Sequence, residues 1–175
     1  MSTVNGLPAH ILLNHFIVVL GPLTAVLAII CALWPAARQR LIWLVLLLAL
    51  ITLVLTPVTA SAGEWLGNRP AISPSPVLTN HEQLGETLVY IVAAQLAAIA
   101  LLAAVHVRQA RGSTVKFAMH ALVGVLVIAA AVATLVQTYR IGDSGAQATW
   151  ANVASASRTI SQRIPVPERG GPASL

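Results

Sequence analysis

Leu41-Ile-Trp-Leu-Val-Leu-Leu-Leu-Ala-Leu-Ile-Thr-Leu-Val-Leu55 decides the fold class, because it is apolar on every side and not along one stripe. The charge-free run continues to Gly63, and three more runs of similar length stand at residues 1–37, 87–107 and 117–139. A helix needs roughly 20 mostly apolar residues to cross a hydrocarbon core of about 30 Å. Each run meets that length, and a backbone in lipid must satisfy its own hydrogen bonds, which favours helices. Composition agrees: 57% of the 175 residues are hydrophobic and 9% are charged, and mean hydropathy is +0.82. A soluble domain of this size carries about a quarter charged residues. The expected fold is therefore all-α, an integral membrane bundle of four transmembrane helices with spans at about 7–34, 41–65, 81–106 and 114–139. Residues 1–140 form the membrane domain, 141–163 a short surface helix, and 164–175 a flexible tail.

Positive charge orients the bundle. Arg38 and Arg40 lie between the first two spans, and Arg108, Arg111 and Lys116 between the last two. Basic short loops stay cytoplasmic, so both termini are expected to be extracytoplasmic. The net charge of +5 is spread over loops and tail, which argues against a nucleic-acid partner. The single cysteine, Cys31, excludes an internal disulfide framework and reads as a small buried hydrophobe.

Along the chain, Pro8 suits the first turn of a helix, and Gly21-Pro22 is expected to interrupt and bend the first span. Trp34 and Trp43 bracket the first cytoplasmic turn at interfacial depth. After Leu55 the second span becomes small and hydroxylated, with Thr56, Pro57, Thr59, Ser61 and Gly63, a composition that favours close helix approach and interhelical hydrogen bonds. Pro70, Pro74 and Pro76 predict an outer loop over residues 67–80. Thr79-Asn-His-Glu82 matches a capping box that starts the third span. Gln95, near mid-membrane, is expected to face the bundle as a hydrogen bonder. Gly142-Asp-Ser-Gly145 reads as a turn. Ala146, Trp150, Val153, Ser157 and Ile160 then recur at helical spacing, as on a helix lying along the membrane surface.

Chemistry concentrates at the extracytoplasmic end. His10, His15 and His81 offer imidazoles to haem b, copper or zinc, with Glu64, Glu82 and Glu86 as further metal ligands or partners and Arg140 as a cofactor contact. Ionisable groups at membrane depth are costly, which makes them functional candidates. Helices one and three would supply ligands from facing walls, as haem bundles do. Glu82 and Glu86 are four apart and of like sign, and want a cation beside them; Arg69, Arg140 or a metal would serve. His106 and His120 are a second, weaker pair at the cytoplasmic end. No phosphate-binding glycine loop, His-Glu-x-x-His helix or Gly-x-Ser-x-Gly elbow occurs. The sequence thus supports a haem- or metal-binding redox module, a proton-transfer module using the same histidines, or a non-catalytic structural or accessory subunit. Its partners would be the lipid bilayer and other membrane subunits or copies of itself.

Leu7-Pro-Ala-His-Ile-Leu-Leu-Asn-His-Phe16, the His81 start of the third helix and Thr138-Tyr-Arg-Ile-Gly-Asp-Ser-Gly145 together resemble the bacterial four-span family called domain of unknown function 2231. Its members open with a similar His-Pro, four-residue, His-Phe segment and close with Val-Tyr-Arg-His-Gly. The resemblance covers about residues 7–150 and implies a multi-pass protein of the bacterial plasma membrane, with no activity attached. Two departures stand out: His10 follows Ala9 and no proline follows it, and Ile141 stands where the family often has a histidine.

Overall fold

The computed structural model describes the backbone of residues 3–4, 7–67 and 76–163, and the side chains of residues 12–65, 76–147 and Trp150. Four helices dominate: α1 (Ala9–Leu33), α2 (Pro35–Gly67), α3 (Pro76–Ala110) and α4 (Phe117–Arg163). All four are long and apolar enough to cross a membrane. Before α1, Thr3–Val4 (β1) and Leu7–Pro8 (β2) form a two-residue antiparallel pair with Val4 opposite Leu7. Pro8 therefore precedes the helix and is not in its first turn.

Proline sets two of the helix starts. Pro35 opens α2 and Pro76 opens α3, where a missing N–H costs nothing and φ is already helical. This moves α3 five residues upstream of the expected start, so Thr79 sits inside the helix and is not its cap. Arg38 and Arg40 likewise lie within α2 and not in a loop. Only Trp34 separates α1 from α2. Pro22 and Pro57 are both accommodated inside continuous helices. The expected interruption at Gly21-Pro22 is thus absent. The outer-loop prolines Pro70 and Pro74, Arg69, and the 164–175 tail lie outside the described residues.

The α3 to α4 connection ends on a left-handed glycine. Gly112 has φ +78°, its N–H bonds to the Gln109 carbonyl, and the Ser113 N–H bonds to the Arg108 carbonyl. That pair of bonds is the Schellman cap, in which glycine carries no Cβ penalty.

Each helix packs along its sequence neighbours, and α4 closes the ring against α1. The helices α1 and α3 touch only slightly across one diagonal, and α2 faces α4 across the other. The core is uneven along the bundle axis. One half, built around Ala28, Cys31, Ile42, Val45, Ile99, Leu102 and Val127, is apolar and fully buried. The other contains a smaller cluster of Ile17, Leu88, Val92 and Ile141, interleaved with buried Thr56, Thr59, Gln137, Thr138 and Ser144. Cys31 is fully buried in the apolar half, as its residue type suggests.

The fourth helix departs most from expectation. Residues 141–163 are helical, but α4 runs unbroken from Phe117 to Arg163 with no turn at Gly142–Gly145. At 1.5 Å per residue its 47 residues span about 70 Å, more than twice the hydrocarbon thickness.

A candidate polar site where four helices converge

A small cavity opens at the end of the bundle nearest the start of α3. All four helices line it: Asn14 and Ile17 from α1, Thr56, Thr59 and Ala60 from α2, His81, Gly85 and Leu88 from α3, Thr138 and Ile141 from α4. Side chains from all four helices thus converge here, with Asn14, Thr56, Thr59, His81 and Thr138 as the polar members.

His81 is fixed by α4. Its Nδ1 lies 2.9 Å from the Ser144 hydroxyl, and that hydroxyl lies 3.0 Å from the Ile141 carbonyl, to which it donates. A hydroxyl has one proton, so the imidazole donates from Nδ1 to Ser144 Oγ. The ring rests against Gly145: a Cβ added there would sit 3.1 Å from His81 Cε1. Gly142-Asp-Ser-Gly145 looks like a turn by residue type, yet its small residues serve instead to seat an imidazole between two helices. The sequence carries no signal for this role, because turn glycines and helix-contact glycines are the same residue.

The threonines of α2 bond within their own helix. Thr52, Thr56 and Thr59 donate to the carbonyls of Leu48, Thr52 and Leu55 at 2.7, 2.7 and 2.8 Å. Each bonds back four residues along its own helix. The interhelical hydrogen bonds come mainly from α3 and α4. Thr134 donates to Gln95 Oε1 at 2.6 Å, and Gln137 Nε2 donates to the Leu84 carbonyl at 2.9 Å. Gln95 is buried and bundle-facing, as its position predicts. Thr138 Oγ1 and Thr24 Oγ1 are buried without a hydrogen-bond partner, and Thr138 is on the cavity wall.

The expected ligand set does not close around this cavity. His15, Glu64, Glu86 and Arg140 are exposed, and Glu82 is half-buried. Among the described residues no group of three or more His, Cys, Asp or Glu side chains is placed to hold a metal ion. His10 lies in the first turn of α1, with its side chain outside the described set. The cavity offers about 50 Å³, room for about three to five waters at 10–15 Å³ each, or for one small ion. A pocket for a haem takes several hundred Å³, more than this cavity holds.

At the opposite end the structure reveals a residue whose role the sequence disguised. Arg38, a topology signal by position, is 5% exposed. Its Nη1 reaches across the α2–α4 diagonal to His120 Nε2 at 2.9 Å. Arginine is always a donor, so His120 Nε2 accepts and is spent in that bond; it is not free to act as an axial ligand opposite His106.

Searches for relatives return nothing: no family model, no curated protein and no solved structure matches this chain.

Proposed function

We propose that the chain is a non-catalytic multi-pass subunit of the bacterial plasma membrane that docks laterally against other membrane helices, with its basic end cytoplasmic. The lipid-facing side of α3 carries this reading. Ala94, Ala97, Ala100 and Ala104 are all exposed there, at spacings of three and four that align them on one face, with Tyr90 and Leu101 exposed among them. The exposed faces of α1 and α2 are instead bulky, with Phe16, Val19, Leu23, Trp43, Leu47 and Val54. Lipid tails solvate leucine as well as alanine, whereas a second helix approaches closely only over small residues. The four alanines leave a shallow groove beside Tyr90 and Leu101 into which a second helix can settle.

Mild-detergent extraction followed by native mass spectrometry tests this proposal. Ala97→Leu with Ala104→Leu should release the chain from its assembly, or from its own copies, with the fold retained. Val54→Leu on α2 should leave the association unchanged. A wild-type chain that runs as a lone monomer at all detergent levels would overturn the proposal. The redox alternative receives less support, since one described imidazole lines a cavity of about 50 Å³. Its signature would be an absorption band or stoichiometric copper or zinc lost in His81→Ala. Membership of the four-span family named above rests on its three short motifs.

A further inference from the structure

We propose that Arg38 is a binding site for a phosphoryl oxyanion at the basic end of the bundle, with the phosphate of an anionic phospholipid as its favoured source. Arg38 is buried, and its Nη1 donates to His120. Its Nε is buried with no partner. Guanidinium geometry gives this pattern meaning: with Nη1 occupied, the free edge is the one formed by Nε and Nη2, whose two parallel N–H bonds match a phosphate or carboxylate bidentately. A buried charge without a counterion is strongly unfavourable.

The chain has no described carboxylate to supply. Glu64 lies 26 residues along α2 from Arg38, about 39 Å at 1.5 Å per residue, and Glu82, Glu86 and Asp143 sit toward that same far end of α3 and α4. Around Arg38 the charge is all positive: Arg40, Arg108, Arg111 and Lys116 are exposed at this end. Trp34 and Trp43, 64% and 58% exposed, mark the depth at which indoles meet headgroups. Among the described residues no carboxylate lies at this end, and the membrane surface offers phosphate at that depth. His120 braces the guanidinium from across the bundle through Nη1, so Nε and Nη2 keep their hydrogen-bonding capacity. A lysine in place of Arg38 would keep the charge and lose the fork.

The test uses the full chain, delipidated in a zwitterionic detergent, with thermal unfolding followed on addition of short-chain phosphatidylglycerol, phosphatidylcholine or inorganic phosphate. Phosphatidylglycerol should raise Tm saturably, on the order of 5 °C at a hundredfold excess over Kd, and phosphatidylcholine should not. The rise should disappear in R38K and R38M and persist in R40Q. A rise with inorganic phosphate that competes with the lipid would assign the same site to free phosphate. No saturable rise with either probe, or equal loss in R40Q and R38K, would overturn the site. Should neither Arg38 variant fold, native mass spectrometry of the wild type decides: a single retained phosphatidylglycerol supports the site, and non-saturating adducts overturn it.

Discussion

The two ends of this bundle have opposite relations between polarity and packing. Toward Arg38 a fully buried apolar core of Ile42, Val45, Ile99, Leu102 and Val127 is closed by one buried ion and its histidine. Around His81 the apolar cluster shrinks to Ile17, Leu88, Val92 and Ile141, and a cavity with five polar wall residues takes the remaining space. The first arrangement tolerates little change because its side chains fill their volume. The second already contains a void that a smaller side chain merely enlarges. Charge density at an end of the sequence therefore says little about which end is buried.

The sharpest break in this comparison comes from removing equal volumes at the two ends. Leu102→Ala, in the filled half, should cost about 3–4 kcal/mol, within the range for buried leucines. Leu88→Ala, on the cavity wall, should cost about 2 kcal/mol, since its void joins a space able to take water. Unfolding in mixed micelles measures both. Equal losses would mean that the two halves are packed alike.

Much of the architecture was legible because membranes read sequence coarsely. Four charge-free runs become four helices wherever backbone hydrogen bonds have no other outlet, and Gln95 faces inward because lipid offers an amide nothing. Three features were not legible, each for a distinct reason. Pro76 counts as a breaker in a loop and as an opener at a helix start, and only the neighbouring packing decides between them. Arg38 fits the rule for cytoplasmic charges, which describes where a residue sits along the membrane normal and not whether it turns inward. Its partner His120 is 82 residues away, and no local pattern links them. The site candidates share this fault: being at the same height places His15, His81 and Glu86 on one end of the bundle, but helix rotation leaves His15 and Glu86 exposed while His81 reaches the cavity.

Two glycines sharpen the difference between contact and mere proximity. A Cβ at Gly145 would meet His81 Cε1 at 3.1 Å, whereas one at Gly21 would meet Thr138 Oγ1 at 3.5 Å. Gly145→Val should therefore displace the imidazole from Ser144 and cost about 2 kcal/mol. Gly21→Ala makes an ordinary contact and improves helix propensity, so it should stabilise by about 0.5 kcal/mol. The ring protons of His81 in NMR spectra provide a direct check, shifting in the first variant and not in the second. An unchanged His81 environment in Gly145→Val would mean that the α3–α4 contact is not held by this ring.

The smallest effect lies midway between the ends, where Thr134 donates to Gln95 Oε1 at 2.6 Å while Gln95 Nε2 remains buried without a partner. Thr134 also lies 3.0 Å from the Ala130 carbonyl, so it keeps an acceptor if the glutamine is removed. The pair is consequently asymmetric. Gln95→Leu relieves an unsatisfied donor and loses one interhelical bond, two terms of about 1 kcal/mol each that oppose one another, and should change stability by less than about 0.5 kcal/mol. Thr134→Val strands both ends of the Gln95 amide in an apolar environment and should cost about 1–2 kcal/mol. In the double variant the cost should fall back toward that of Gln95→Leu alone, because no polar group is then left unpaired. A double-mutant cycle showing simple additivity would instead mean that the glutamine finds another partner once the threonine is gone.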